Sequence, residues 1–262
     1  MIDAIDTETF PIDRPGSQAY QALVARCKAD LGADGMFNLD AFVSARAVQA
    51  QADAVKDLMA TASFRHERRH NIYFRKDVDG LAPDHPALRE FDTSNNTLCA
   101  DQLAGSLVEQ IYTLPQLTSF LAQVMDKPAL YPMDDPLASF NVLQYREGQA
   151  LNWHFDRSEF TVTLLLQAPD EGGVFEYRTD LRSADDPNYD GVVSLIDGKD
   201  PKLRQMSVCP GTLNVFRGVN TPHRVTPVAG GRARMIAVLT YYEYPGARFS
   251  ESEQLGFYGR TA

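Results

Sequence analysis

From Ser139 onward the chain becomes a succession of short β-type runs, the pattern of a sandwich or barrel rather than of a helical or parallel α/β fold. Residues 140–145, 160–166, 174–177, 203–208, 213–216 and 233–242 are rich in β-branched and aromatic side chains, and clusters of Gly, Pro and Asp separate them. The first third reads differently. Ser17 can cap a helix whose Tyr20, Leu23, Val24, Cys27 and Leu31 follow the 3.6-residue period, with Gly32 just past its end. A second helix is expected from near Asn38 toward Ala60, with Phe42, Val48, Val55 and Met59 facing inward. Further helices are expected at 101–112 and at 115–125, the latter opened by Pro115, a favoured first-turn residue. Residues 180–201, rich in Asp, Gly, Asn and Pro, read as a surface insertion between strands. With no repeat, low-complexity tract or clear linker, the economical expectation is one domain over 1–262, mainly β or α+β. It would have a helical part at about 15–126 packed outside a β core at about 138–245, and a tail at 246–262.

Size and charge limit the function classes. The 262 residues, 44% of them hydrophobic, suffice for one large domain with a full core. No run of about 18 apolar residues is present, so no membrane helix is expected. The acidic start, from Met1 to Asp6, lacks the basic and apolar regions of a secretory signal. Cys27, Cys99 and Cys209 are scattered and odd in number, and they read as thiols of a reducing, cytoplasmic compartment. The formal charge of -10 disfavours nucleic acid, whose binders carry a basic stripe; the one dense basic stretch, from Arg65 to His70, is short. A small molecule is the expected partner.

Within the β-rich part, His154-Phe155-Asp156 is answered 69 residues later by His223. Two imidazoles and one carboxylate can occupy one face of an iron(II) ion and leave the opposite face open. His-x-Asp alone arises easily by chance, so its surroundings matter. Tyr145, Gly148, His154 and Asp156 allow a strand to end, turn and return with His154 and Asp156 on one side. Glu171-Gly172-Gly173 forms a tight turn into a strand, and Pro210-Gly211 leads a strand toward His223. Arg234 follows His223 by 11 residues, at the start of an apolar run.

With these features together, the segment from Tyr145 to Tyr242 resembles the double-stranded β-helix core (jelly-roll, cupin-like) of the Fe(II)/2-oxoglutarate-dependent dioxygenases. The resemblance implies His154, Asp156 and His223 as iron ligands, with 2-oxoglutarate and O2 as cosubstrates. It also implies an arginine on the last core strand that clamps the distal carboxylate of 2-oxoglutarate, since a guanidinium grips a carboxylate through two charge-assisted hydrogen bonds. Arg232 and Arg234 share a strand face by parity and both compete; Arg234 stands at the entry of the buried run Met235-Ile236-Ala237-Val238-Leu239 and is favoured. Tyr145 matches a position where related enzymes hydrogen-bond the same carboxylate. A narrower resemblance, carried by the run from Leu151 to Asp156, the strand at 211–216, the run from His223 to Val228 and Gly256-Phe257-Tyr258-Gly259, is to the BesD/HalD-like group of halogenases and oxygenases acting on free amino acids. Its halogenases carry a small residue where Asp156 stands, and chloride takes the vacated coordination site. A carboxylate there implies an oxidation without halide transfer, with hydroxylation first and desaturation or cyclisation as alternatives.

One rival motif exists. His66-Glu67-Arg68-Arg69-His70 matches H-E-x-x-H, and Glu90 falls at a plausible third-ligand distance for a zinc hydrolase. The three arginines from Arg65 to Arg69 do not suit a buried helix, and Asn71-Ile72-Tyr73-Phe74 reads as strand. The segment is therefore expected to lie beside the barrel, with Arg69, Asn71 or Tyr73 available to substrate. Arg157, Thr240 and Trp153 complete the candidate substrate residues. Each has a plainer reading, as a solvated turn residue, β-branched packing and core packing respectively. Phe257-Tyr258 reads as either a lid or a packed tail.

Overall fold

The computed structural model describes residues 3–262; Met1 and Ile2, part of the acidic start, lie outside the described residues. In chain order its strands are β1 (Met36–Leu39), β2 (Phe64–His70), β3 (Phe91–Leu98), β4 (Tyr131–Pro132), β5 (Phe140–Tyr145), β6 (Leu151–His154), β7 (Thr161–Gln167), β8 (Glu171–Gly172), β9 (Phe175–Tyr177), β10 (Arg204–Met206), β11 (Leu213–Phe216), β12 (His223–Val225), β13 (Val228–Ala229), β14 (Arg234–Leu239) and β15 (Tyr241–Tyr242). The helices are α1 (Gln18–Asp34), α2 (Ala45–Ala62), α3 (Leu107–Tyr112), α4 (Pro115–Val124), α5 (Tyr189–Ile196) and α6 (Glu251–Tyr258).

Two antiparallel sheets form the jelly-roll of a double-stranded β-helix. The larger runs β1-β11-β7-β14-β5-β3-β2 and the smaller β10-β9-β12-β6. Side-chain alternation decides what each face of the larger sheet does. Phe140, Val142, Val162, Leu164, Met235, Ala237, Leu213 and Val215 point outward into one apolar cluster with residues of α1, α2, α3 and α4, such as Tyr20, Val55, Met59, Ile111 and Phe120. Their neighbours Leu143, Tyr145, Thr163, Leu165, Arg234, Ile236 and Asn214 point inward and line the space between the sheets. The strand expectations for 140–145 and 213–216 match the observed bounds; both strands are buried along nearly their whole length.

The helices sit where expected but start and stop differently. In α1 the Ser17 hydroxyl accepts from the Tyr20 N–H, a cap typically contributing about 1 kcal/mol, and Gly32 lies inside the helix. The helix ends only at Gly35, whose φ of 74° is the left-handed conformation a terminating residue needs. Asn38 does not begin α2; it lies in β1, paired with Asn214 of β11, and the helix starts at Ala45 behind the Ser44 cap. Pairing with the edge of the large sheet overrides local propensity there. The expected helix at 101–112 breaks into a 3-10 turn, Ala100–Leu103, and α3, with Gly105 at φ 77° between them. The part at 15–126 is thus not purely helical, since it also supplies β1, β2 and β3 to the large sheet.

Residues 180–201 are more than a surface insertion. Within them α5 buries Val192 and Leu195 against Trp153, Phe155, Ile72 and Leu181, a second core behind β6. At the C-terminus α6 is a packed tail rather than a lid. Ser250 and Glu253 form a reciprocal capping box, and the buried Tyr258 hydroxyl donates to Asn141.

Candidate metal centre

Strand pairing brings the three sequence-predicted ligands together. His154, the last residue of β6, stands directly opposite His223, the first of β12. Asp156 follows two residues later on the same side, while Phe155 between them turns its ring into the second core. Two backbone bonds hold this exit from β6: Phe155 N–H to Ile72 O at 3.1 Å and Asp156 N–H to Gly218 O at 3.0 Å. The Asp156 Oδ1 atom lies 3.4 Å from His154 Nε2 and 3.6 Å from His223 Nε2. One ligand atom from each of the three residues lies within 4.8 Å of the others, and among the described residues this is the group of three or more that could hold a metal ion.

The surroundings fix the state of each donor. His154 Nδ1 lies 2.8 Å from Asn152 O, and His223 Nδ1 lies 3.0 Å from Thr221 O. A carbonyl only accepts, so in each neutral ring Nδ1 carries the proton and Nε2 keeps its lone pair. Burial and the neighbouring His154 lower the His223 pKa to about 4, so His223 is neutral at pH 7. Burial alone would raise the Asp156 pKa; attraction to His223 and His154 whenever those rings are protonated, and the hydrogen bond from the Thr161 hydroxyl at 2.6 Å, outweigh it. The carboxyl is held well below its usual range and is ionised.

From these ligands a cavity of about 160 Å³ runs between the two sheets. Its walls are mostly apolar, with Leu143, Leu165, Phe175, Ile236 and Val238, and the side chains of Arg234 and Tyr145 also line it. Arg234 stands directly opposite Tyr145 in the β14–β5 pairing and is 4% exposed. Burial lowers its pKa, and Tyr145, not a carboxylate, is the titratable group that opposes this. Burial pushes the Tyr145 hydroxyl up to about 12, so it is neutral and able to donate. Gly173, at φ 59°, leaves room for the Arg234 stem, since a Cβ there would come within 3.1 Å of the Arg234 Cδ.

The other candidate residues fall elsewhere. Arg232 precedes β14 and is exposed; its N–H donates to Asp170 and its guanidinium to Gln49, so the expected shared face with Arg234 does not exist. Thr240 follows the end of β14, where the chain turns: its N–H donates to Ser139 O and its carbonyl accepts from Tyr112, outside the cavity lining. Arg157 is exposed and paired with Glu253 of α6 at 2.7 Å. Asn71-Ile72-Tyr73-Phe74 is a turn rather than a strand, closed by the Asn71 side chain, which accepts from Tyr73 N–H and donates to Arg75 O. Tyr73 stacks on Phe155, and Trp153 is core packing with the Arg224 guanidinium over its ring.

The H-E-x-x-H reading fails on geometry. His66 and His70 lie on the strand β2, where a four-residue separation is roughly 13 Å, too far for one ion. Arg69 and Glu90 pair with each other at 3.0 Å, and both ring nitrogens of His70 are engaged, by Asn71 O and by Thr93. Sequence reasoning missed Gly218, Thr161 and Phe74. Gly218 offers a place for the Asp156 carboxylate that a Cβ would fill. Phe74, at φ 54°, packs edge-on against His154.

Comparison with known proteins agrees with this geometry. The model of the family described as halogenase D matches residues 19–248. The chain belongs to the halogenase D family. It is therefore an enzyme of the Fe(II)/2-oxoglutarate-dependent oxygenase superfamily, as the motif resemblance implied. Similar folds occur in solved structures of low identity. One is an oxidoreductase of the 2OG-Fe(II) oxygenase family from Burkholderia pseudomallei, with 15% identity, TM-score 0.51, and 86% of this chain and 92% of that one covered. A prolyl-4-hydroxylase from Pseudomonas putida has 18% identity, TM-score 0.53 and coverage of 82% and 97%. The non-haem alpha-ketoglutarate-dependent epimerase SnoN of nogalamycin biosynthesis has 13% identity, TM-score 0.57 and coverage of 84% and 83%. No curated protein matches the chain by sequence. Among the described residues, no helix of this halogenase D family member is long and apolar enough to cross a membrane.

Proposed function

We propose that this chain is a hydroxylase of the halogenase D family, which uses Fe(II), 2-oxoglutarate and O2 to oxidise an unactivated C–H bond of a free amino acid. The observation that carries the reading is Asp156. An ionised, half-buried carboxylate anchored by Thr161 stands between the two imidazoles, where the halogenases that the chain resembles carry a small residue. A carboxylate there fills the halide position and repels an anion.

The donor set fits iron(II): two imidazole nitrogens and one carboxylate oxygen, on neighbouring strand ends. His154, Asp156 and His223 would hold the ion. The fit to 2-oxoglutarate rests on Arg234. A buried guanidinium with no carboxylate acting on it is costly, and a ligand carboxylate accepting two charge-assisted hydrogen bonds offsets that cost. Tyr145, opposite, would donate a third. When bound, the metal and cosubstrate supply the oxidising power that breaks the C–H bond. The chain's share is aim and exclusion: the Asn152 and Thr221 carbonyls hold the imidazoles in one tautomer, Thr161 fixes the carboxylate, and Leu143, Leu165, Ile236 and Val238 keep water from the cavity.

The test is turnover of 2-oxoglutarate with Fe(II) and O2 in chloride buffer across a panel of free amino acids, following succinate and product mass. The expected result is substrate-stimulated succinate formation with a product gaining one oxygen. A chlorinated product overturns hydroxylation, and loss of two hydrogens reassigns the outcome to desaturation or cyclisation. No stimulation by any amino acid overturns the substrate class.

A further inference from the structure

The residues around the metal ligands include one cation that the proposed reaction does not use. Arg182 lies on the segment that leaves β9, half-buried, and no carboxylate is among the groups that act on it: Tyr73, Arg75 and Tyr189. Its partners are a ring and a carbonyl. The guanidinium carbon sits 3.7 Å from the centre of the Phe155 ring, face-on. Nε and Nη2 both donate to the Val219 carbonyl, at 3.0 and 2.7 Å.

Those two partners belong to the two halves of the metal centre. Phe155 separates the ligands His154 and Asp156. Val219 adjoins Gly218, whose carbonyl receives the Asp156 N–H, and it lies four residues before His223. The segment carrying Arg182 runs beside this second loop and extends the β9–β12 pairing beyond its strands. Arg178 N–H donates to Pro222 O, Asp180 N–H to the Thr221 hydroxyl, and Arg182 N–H to Asn220 O at 3.4 Å. The Arg182 side chain then closes the end of that ladder by reaching across to Phe155. A planar fork is needed for this: an ammonium group presents no flat face to a ring and cannot send two parallel bonds to one oxygen. An apolar side chain of similar length would fill the space without the expense of burying an unpaired charge.

We infer that Arg182 is a positioning residue of the metal centre, whose guanidinium braces the His154–Asp156 strand end against the 217–222 loop and so fixes the spacing of the Asp156 and His223 donors. The inference rests on the metal-site reading proposed above. Without the brace, the single Asp156 N–H to Gly218 O bond is left to hold this loop to the ligand strand, and the three donors lose their common focus while the barrel itself stays packed.

The experiment compares the full-length chain with Arg182→Met and Arg182→Lys, using Co(II) as a spectroscopic substitute for iron. Readouts are Co(II) affinity, the visible ligand-field spectrum of the bound ion, and the melting temperature of the metal-free proteins. The Met variant is expected to keep the wild-type metal-free melting temperature within a few degrees, to bind Co(II) about 10–100-fold more weakly and to show an altered spectrum. The Lys variant, which keeps the charge but not the fork, is expected to resemble the Met variant. Wild-type affinity and spectrum in both variants would overturn the brace while leaving the metal site intact. Affinity losses that merely track losses of melting temperature would overturn it as well. Failure of wild-type protein to bind Co(II), or binding that survives His154→Ala, removes the metal-site reading itself and the brace with it.

Discussion

The peptide N–H of Asp156 donates to the carbonyl of Gly218 at 3.0 Å, and the Asp156 carboxylate occupies the space that any side chain at 218 would need. The ligand strand and the loop leading to His223 therefore meet at a residue that brings no side chain of its own. Gly218→Ala forces either the carboxylate or the loop to move. We expect at least about tenfold weaker iron binding with unchanged far-ultraviolet circular dichroism. Iron content after dialysis checks this; wild-type retention would mean that the loop yields freely.

Arg234 and Arg232 lie two positions apart, in opposite environments. Arg234→Met removes a buried cation without a carboxylate partner, so the ligand-free protein should melt no lower than wild type. The same change should weaken 2-oxoglutarate binding by roughly 2–5 kcal/mol, the usual cost of truncating one partner of a buried charged pair. Arg232→Gln, at an exposed position, should alter neither. Thermal shifts with and without 2-oxoglutarate measure both effects; equal losses in the two variants would refute the assignment.

The division between what the sequence disclosed and what it concealed follows from range. Tyr145, Gly148, His154 and Asp156 lie within a dozen residues, so the strand end, the turn and the return that set His154 and Asp156 on one side could be read locally. Strands β5 and β11 were legible for the same reason. β3 was not: its buried residues Thr93, Asn95 and Thr97 are polar, and a polar alternation gives no hydrophobic signal. Arg232 and Thr240 followed the parity of Arg234 on paper, but β14 begins at Arg234 and ends at Leu239, and parity has meaning only inside a strand. Gly218 and Arg182 act on Asp156 and Phe155 across tens of residues, through contacts that no local pattern encodes.

Metal binding should also ignore the rival motif. His66 stacks on Phe257 of α6, four positions along a strand from His70. His66→Gln should keep full iron content and turnover, whereas His223→Gln should lose both. Elemental analysis of the two purified variants decides between the sites.

Acid should loosen the metal-free protein. Burial chiefly lowers the pKa values of both His70 and His223 from 6.5 to about 4. Between those values the unfolded chain binds more protons than the folded one. Stability is then fully present above about 6.5 and is lost as pH falls toward 4. Melting temperatures between pH 7 and 4.5 should fall accordingly, and His70→Gln should flatten the slope. A melting temperature that is constant across this range would contradict neutral burial of these rings.

The direct pairing of His154 with His223 joins residues 69 apart in the chain. An ion held by both is a fastener across that long loop as well as a reagent. Ligands that bind only the closed form stabilise it in proportion to their supply. When iron is scarce the seam between β6 and β12 is left without its clasp, so proteases should cleave the intervening segment faster in the metal-free protein than in the loaded one.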